Sequence, residues 1–416
     1  MFYLGRAVPS PIGRLVVMTL AAQKSDLSTG IAGVIILGGS YGSLAAARSL
    51  GRQGIKVAYF STQHTAAQYS RYLTHHIPWA GPGAPDALEQ FLATCDRLGM
   101  NGWVVLPSSD HEVQFLTQHH ELLSRRFAQV TMPWEVLERL NDKGHLYVLA
   151  EALGLDFPRV YWDGDAHQVG ADQIRFPVVL KPASTEKVNP LTKAKAWRAD
   201  SRADYDSKFA LATHYMGPRG FVVQEMIPGD GATQFSYAGL WDHGRELCGL
   251  TARRSRQFPA EFGTSPFVET VDLPRVADEA RRLLKAVDYH GLVEVEFKLD
   301  RRDDRLKLLD VNTRIWAWIG LGAAAGLDFP VLAATLATGR QPVIGPVRYG
   351  ASWRHPVPNV LSLLQSLLGT GGLGYAGRQS LFDHAVSSVF AVDDLKPALA
   401  EIPVHLIRKT RGLFQR

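Results

Sequence analysis

Cysteine is scarce in this sequence, and long apolar runs are missing. Only Cys95 and Cys248 occur among the 416 residues, and they form no CxxC pair. Neither a disulfide scaffold nor a cysteine-ligated zinc site is expected, which favours a reducing cytoplasm as the location. No apolar segment reaches the ~18 residues that a membrane span needs, so stable insertion into a membrane is not expected.

A strong excess of one charge is also absent. The chain has 45 Lys and Arg against 40 Asp and Glu, a net charge of +5, and no dense basic block. Nucleic acid is therefore not an expected partner, and a site for anionic phosphates explains part of the excess equally well. With 46% hydrophobic and 20% charged residues, the composition is that of a soluble globular protein long enough for two or three domains.

The first strong structural pattern is a βαβ unit. An apolar strand at 33–37 leads through the glycines of Gly38–Gly42 into a helix at 43–51 and a second strand at 55–60. The glycines do not fit a GxGxxG fingerprint, and the acid expected after the second strand is missing because Ser61 stands there. The better interpretation is an α/β domain without a dinucleotide, and a Rossmann-type oxidoreductase is kept as an alternative.

A further strand of this domain, Gly102–Pro107, ends in the polar residues Ser108, Ser109 and Asp110. Polar residues beyond the carboxyl end of a parallel strand often line a ligand crevice. Asp110 equally suits the N-cap of a following helix, so both roles stay open.

Two later segments predict a β-hairpin with an acidic face. They are 291–298 and 308–314, separated by the charged run Asp300–Arg305, which suits a hairpin loop. Residues two apart in a strand point to the same side, so Glu294 and Glu296 share a face. The matching face of the second strand carries Asp310, Asn312 and Arg314. If the two faces coincide, their hard oxygen ligands suit Mg²⁺ bound together with substrate phosphates.

Two lysines upstream of this hairpin suggest contacts with phosphate. Lys143 begins a helix after Asn141-Asp142, and Lys181 ends the apolar strand 176–180. A compact point charge at the edge of a cleft suits phosphate oxygens. Each lysine, taken alone, is equally consistent with an exposed end of its element.

Five segments, in this order along the chain, resemble the motifs of the ATP-grasp superfamily. They are Asn141–Lys143, Phe176–Pro182, Gln224–Gly229, Glu294–Phe297 and Leu309–Arg314. Each is weak alone, but their order and spacing match over about residues 133 to 330, and the last is the most specific. The segment Thr251–Pro259, followed by Gly263–Ser265, is similar to a branch of carboxylate–amine ligases that includes D-aspartate ligase-like proteins.

The resemblance implies an α/β plus α+β fold with two main parts. An open parallel-sheet domain at 31–132 would resemble the one that precedes ATP-grasp in the carbamoyl-phosphate synthase group, and a two-subdomain ATP-grasp fold would follow at 133–335. Residues 1–30 would be an N-terminal extension and 336–416 a C-terminal extension that is helical and basic. For this tail, core packing, a homodimer contact and weak peripheral contact with anionic lipid stay open.

The resemblance also implies roles for individual residues. The nucleotide contacts would be Lys143, Lys181, Gln224, Glu225, Met226, Ile227 and Asp230. The ligands of Mg²⁺, or alternatively Mn²⁺, would be Glu296, Asp310 and Asn312. The groups on the transferred phosphoryl group or the acyl phosphate would be Arg314, Arg254 and Arg256. Glu294 is not required by the superfamily pattern and stays open as a supporting group or a surface acid.

The arginines are assigned because a guanidinium matches the geometry of phosphate and carboxylate. If their segment is a strand, Arg254 and Arg256 share a face and Arg253 points away. A solvated basic strand is the alternative.

The loop that would cover the phosphates departs from the superfamily pattern. Many ATP-grasp enzymes carry a glycine-rich loop after the second lysine, but 183–196 contains no glycine. Lys187, Lys193 or Lys195 would supply charge in place of backbone N–H groups. The same loop is the predicted lid that keeps water from a reactive intermediate.

These resemblances predict an ATP-dependent ligase. It would activate a small-molecule carboxylate as an acyl phosphate, which a small-molecule amine, or alternatively a thiol, attacks. Phosphoryl transfer needs positioning and charge neutralisation rather than a nucleophilic side chain, which fits the lack of a convincing Ser-His-Asp or Cys-His motif. A nucleotide-binding regulatory protein without turnover is the alternative.

Overall fold

The computed structural model describes residues 30–62, 66–165, 167–183, 189–258, 261–367 and 385–401. The predicted N-terminal extension, up to residue 29, and the basic end of the chain, from residue 402, lie outside these ranges. Within the described ranges, none of the helices has the length and apolar character needed to cross a bilayer.

The first unit is an open parallel sheet with helices on its faces. Its strands are β1 (Val34–Leu37), β2 (Val57–Phe60), β3 (His75–Ile77), β4 (Val104–Pro107) and β5 (Ala128–Gln129). Its helices are α1 (Tyr41–Arg52), α2 (Ala87–Arg97), α3 (Asp110–Gln118) and α4 (His120–Ser124). The spatial order is β3-β2-β1-β4-β5, and the three longest strands are buried along their whole length, as in a parallel sheet covered on both faces.

The glycines of the β1–α1 turn are explained by close packing of the chain on itself. Gly38 has a φ of +81°, and a Cβ there would lie 2.5 Å from the carboxyl carbon of Glu112. A Cβ on Gly42 would lie 2.3 Å from the carbonyl oxygen of Trp316. Only glycine fits such approaches, so both positions are accounted for without a dinucleotide.

The second unit begins with two helices and continues as a small antiparallel sheet. The helices are α5 (Trp134–Asn141) and α6 (Lys143–Ala152), as the sequence predicts. The remaining elements are β6 (Val160–Trp162), β7 (Val178–Pro182), α7 (Pro190–Ala194), β8 (Trp197–Ala199), α8 (Arg202–Met216) and β9 (Phe221–Glu225). The strand order β6-β9-β7-β8 places β7, which ends near Lys181, inside the sheet.

The third unit is built on a seven-stranded sheet. Its strands are β10 (Gln234–Asp242), β11 (Arg245–Arg253), β12 (Phe267–Thr270), β13 (Gly291–Asp300), β14 (Arg305–Asn312), β15 (Ser352–Arg354) and β16 (Val386–Ser387). Its helices are α9 (Pro274–Ala286), α10 (Gly320–Ala324), α11 (Phe329–Ala337) and α12 (Pro356–Leu367). In the order β14-β13-β10-β11-β12-β15-β16, β15 and β16 come from the region predicted to be a C-terminal extension.

That C-terminal region is also tied to the first unit. Arg48 of α1 forms a buried ion pair with Asp394, at 2.9 Å, and donates to the carbonyl of Val389. Residues 385–401 therefore pack on the body of the protein, and of the roles left open for the extension at 336–416, core packing is the one that fits this part.

The hairpin β13–β14 contains a β-bulge at the residues of interest. Regular pairing from the turn ends with Phe297 opposite Leu308. The register then shifts, so that Glu296 lies opposite Asp310 and Leu309 is the extra residue. Because residues directly opposite each other share a face, the bulge brings these two carboxylates to one side of the sheet. Without it, Asp310 would point to the other face.

Candidate nucleotide and metal site

A cavity of about 400 Å³ lies where the three units meet. Its walls come from the start of α3, from α5 and α6, from the end of β7, from the segment after β11 and from β13–β14. This volume is in the range of small-molecule sites. The sequence-predicted residues that line it are Lys143, Lys181, Arg254, Glu296, Asp310, Asn312 and Arg314.

The predicted metal ligands converge in this cavity. Glu296 and Asp310 face each other across the strand pair, and Asn312 lies two residues further along. The Asn312 amide donates to Glu296 at 3.1 Å, which holds the two side chains side by side. Two carboxylates with an amide oxygen nearby suit Mg²⁺, which is usually bound by one or two carboxylates plus phosphate oxygens.

Each of these groups already has a cationic partner. Lys143 Nζ lies 3.2 Å from an oxygen of Asp310, and Arg254 forms an ion pair with Glu296. Arg314 donates to the Asn312 amide oxygen at 2.8 Å. A metal–nucleotide complex at this site would have to replace these ion pairs, with the acids meeting the metal and the cations meeting the phosphates.

Local hydrogen bonds fix the backbone positions of Lys143 and of the segment that carries Arg314. The Asp142 side chain caps α6 by accepting from the N–H groups of Gly144 and His145, at 2.9 and 3.1 Å, and this fixes Lys143 at the first turn. On the other side, the Ile315 N–H donates to the carbonyl of Pro107 at 3.0 Å. That bond joins the end of the β14 segment to the carboxyl end of β4.

Asp110 lines the cavity beside this junction. Its carboxylate accepts from Arg314 Nε at 2.6 Å. Of the two roles that the sequence left open, the structure gives Asp110 the position on the crevice, although it is also the first residue of α3. The signal was present in the sequence, since the residue follows a parallel strand, but its partner could not be identified there.

Glu294 is buried beside the predicted metal ligands rather than exposed as a surface acid. Only 3% of the residue is accessible to solvent. Its carboxylate accepts from Ser236 at 2.9 Å, from Trp318 Nε1 at 2.9 Å and from Asn312 at 3.1 Å. Burial, with the neighbouring Glu296, raises the pKa of Glu294 to about 7. Glu294 thus orients the Asn312 amide and does not itself face the cavity.

Replacing Glu294 by glutamine should raise the Mg²⁺ concentration for half-maximal turnover by about 10- to 100-fold. A glutamine amide has one acceptor oxygen and one NH₂ donor, so it cannot accept from all three donors that now meet the carboxylate. Asn312 therefore loses its orientation. A Mg²⁺ titration of ADP release measures this. Glu246→Gln, a partly buried acid at the far end of the same sheet, is the control, and an equal Mg²⁺ requirement in both variants would contradict the role.

Lys181 stands in the cavity without an acid in direct contact among the described residues. Burial, together with the nearby Lys143 ammonium, lowers the pKa of Lys181 from 10.5 to about 8. Phosphate oxygens favour the charged form, so the pKa must rise when nucleotide binds.

We therefore expect ADP binding near pH 8 to take up a fraction of a proton, and affinity to fall as pH rises through 8. Calorimetry in buffers of different ionisation enthalpy measures the uptake. The control is Lys181→Arg, because a guanidinium stays charged throughout this range. The same uptake in the variant would exclude Lys181 as its source.

The residues predicted to hold the adenine and ribose do not line this cavity. The Gln224 amide oxygen accepts from Tyr147 at 2.9 Å, and Glu225 pairs with Arg302 at 2.7 Å. The Met226 N–H donates to Pro177, and Asp230 caps a short 3₁₀ turn by accepting from the Ala232 N–H. The contacts of Gln224, Glu225, Met226, Ile227 and Asp230 with a nucleotide therefore stay predictions.

The structure separates the two arginines that were predicted to act together. Strand β11 ends at Arg253, so the alternation on which the shared face depended does not continue. Arg254 turns into the cavity and donates to Ser265 at 2.9 Å. Arg256 instead donates to Asn359 at 2.7 Å and lies over the ring of Phe267. The structure does not bring Arg256 to the site.

Part of the loop at 183–196, which contains no glycine, lines the cavity. Thr192, Lys195 and Ala196 line the cavity, so Lys195 is the predicted lysine that the structure places there. Lys193 does not line it, and Lys187 lies outside the described residues.

Comparisons with known proteins bear on the sequence and the fold of this chain. No protein-family profile matches the sequence. The D-aspartate ligase of Enterococcus faecium (strain Aus0004) is 23% identical over 300 residues, which cover 67% of this chain and 70% of that protein.

Solved structures are similar over more than three quarters of the chain. Biotin carboxylase from Campylobacter jejuni, in a complex with β,γ-ATP, has a TM-score of 0.60 at 15% identity, covering 78% of this chain and 75% of that one. The L-amino acid ligase from Bacillus licheniformis has a TM-score of 0.57 at 16% identity, covering 77% and 78%. At such identities the likeness concerns the fold.

Proposed function

The chain has the ATP-grasp fold that its five ordered segments predict, and from this premise we propose that it is an ATP-dependent carboxylate–amine ligase. The observation that carries the proposal is the meeting of Glu296, Asp310 and Asn312 with five lysine and arginine side chains in one cavity. The ligase names of two relatives support the reaction class. We infer that the substrates are a small carboxylate and a small amine.

The proposed reaction has two steps. A carboxylate oxygen of the substrate attacks the γ-phosphorus of ATP, the bond to the bridging oxygen breaks, and ADP leaves. The amine nitrogen then attacks the acyl carbon, loses a proton, and expels inorganic phosphate. Neither step needs a nucleophilic side chain, because phosphoryl transfer depends on positioning and charge neutralisation.

Different residues of the cavity would have different roles in these two steps. Glu296, Asp310 and Asn312 would hold Mg²⁺, which would supply the positive charge that neutralises the phosphates. Lys143 and Lys181 would contact the phosphates once the exchange of ion pairs has freed Lys143 from Asp310. Arg254 would bind the transferred phosphoryl group, and Arg314, held by Asp110, would bind the substrate carboxylate.

The proposal is tested by ADP release with Mg·ATP against a panel of amino acids and small carboxylates, offered in pairs. A ligase releases ADP and phosphate in equal amounts only when both substrates are present. Binding of ATP by calorimetry without turnover on any pair would favour the regulatory alternative. No binding and no substrate-dependent ADP would overturn the proposal.

A further inference from the structure

Two histidines and an aspartate meet at the end of the seven-stranded sheet that is remote from the cavity. They are Asp242, the last residue of β10, His243 in the β10–β11 turn, and His290, directly before β13. One ligand atom from each lies within 4.8 Å of the other two. The two imidazole rings are stacked, with centroids 4.5 Å apart and an angle of 19° between them.

The position of His243 follows from the turn that carries it. His243 and Gly244 have φ values of +44° and +68°, which is typical of a two-residue hairpin turn. The Gly244 N–H donates to the carbonyl of Tyr289 at 2.9 Å. The turn is therefore fixed to the segment that precedes β13, and the two histidines stay adjacent because the backbone holds them there.

One polar atom of this cluster is shielded from solvent and has only a weakly aligned partner. Nδ1 of His290 is buried, and its neighbour is Asp242 Oδ1 at 3.3 Å, whose carboxylate also accepts from Arg245 at 3.2 Å. A buried polar atom of this kind is costly unless something satisfies it. Asp288 lies 3.9 Å from His243 Nδ1 on the outer side.

We propose that Asp242, His243 and His290 form a binding site for a divalent transition metal of the Zn²⁺ class. Two imidazoles and one carboxylate are typical ligands of such an ion, with Asp288 or water as the fourth. Tetrahedral ligation at ~2.0 Å places donors ~3.3 Å apart. The ligand atoms now lie within 4.8 Å of one another. Rotation of the exposed His243 ring, whose side chain is 70% accessible, brings its nitrogen to the shorter distance.

This site is separate from the proposed catalytic one. Glu296 lies six residues along the sequence from His290, which is ~20 Å in an extended strand. A metal here would join the β10–β11 turn to the connection between α9 and β13. Its effect would be to stabilise that end of the sheet rather than to take part in the reaction.

The test uses full-length protein without a histidine tag, stripped of metal and kept in excess Mg²⁺ so that the oxygen ligands of the cavity are occupied. We expect one equivalent of Zn²⁺ to bind by calorimetry and to raise the melting temperature by a few degrees. Co²⁺ in the same site should show the visible absorption of a four-coordinate nitrogen–oxygen environment. The buried cysteines, Cys95 and Cys248, are not expected to compete.

Four variants decide the assignment. His243→Asn suits the left-handed turn position and should weaken Zn²⁺ binding at least tenfold, and His290→Gln should do the same. His214→Asn, an exposed histidine on α8, should bind as the wild type does. No saturable binding by the wild type, or equal binding by all variants, would overturn the proposal. So would binding that survives His243→Asn but is lost in Asp310→Asn, since it would assign the ion to the catalytic carboxylates.

Discussion

Replacing Asp310 by asparagine is expected to lower kcat at least ~10³-fold while the protein stays folded. Asp310 faces Glu296 across the bulge, and its carboxylate is the contact of Lys143 at 3.2 Å. The substitution keeps the shape but removes the charge that would hold Mg²⁺ and release Lys143 to the phosphates. Loss of metal-ion stabilisation amounts to several kcal/mol, and ~1.4 kcal/mol is tenfold in rate.

The matched control for this experiment is Asp304→Asn. Asp304 lies in the turn of the same hairpin, its side chain is 82% accessible, and its φ of +57° is one that asparagine tolerates. ADP release by this variant should stay within about twofold of wild type. If Asp310→Asn retained full turnover with an unchanged Mg²⁺ requirement, Asp310 would have to be removed from the metal shell.

Arg254→Met should lower kcat/KM by ~10²- to 10³-fold, which is the loss expected when one donor to a developing negative charge is removed. Arg254 lines the cavity and pairs with Glu296. Methionine preserves most of the side-chain volume, so the loss reports the guanidinium. The measurement is steady-state ADP release with the substrate pair that the panel identifies.

Arg256→Met tests whether Arg256 stabilises the fold, as its contacts indicate, or acts on the substrate beside Arg254, as strand alternation predicts. The Arg256 guanidinium donates a hydrogen bond to Asn359. Its loss should lower the free energy of unfolding by about 1–3 kcal/mol and leave kcat within about threefold. Chemical denaturation and turnover are measured on the same preparation. An equal fall in kcat for both arginine variants would show that Arg254 and Arg256 act together on the substrate.

Much of the fold followed from local patterns in the sequence. The hairpin was predicted at 291–298 and 308–314 and is found at Gly291–Asp300 and Arg305–Asn312. Alternation and a charged turn are local signals. The order of the motifs along the chain predicted which lysines would join the acids, and Lys143 and Lys181 both reach the cavity.

What the sequence did not reveal depends on contacts between distant segments. The burial of Glu294 requires Ser236 from one strand and Trp318 from beyond another. The divergence of Arg254 from Arg256 requires β11 to end at Arg253. Local alternation of polar and apolar residues predicts neither where a strand ends nor which distant residue donates a hydrogen bond.

The bulge at Leu309 has a consequence for how this chain tolerates change. Before it, Leu306 and Leu308 enter the apolar core, and after it Val311 does, so the inward positions change from even to odd numbers. Losing one residue here would push the Asp310 side chain into the core and turn that of Val311 out of it. Another apolar side chain could replace that of Leu309, whereas its peptide unit cannot be spared. Single-residue deletions should therefore be far more harmful in this stretch than in the turn 301–304.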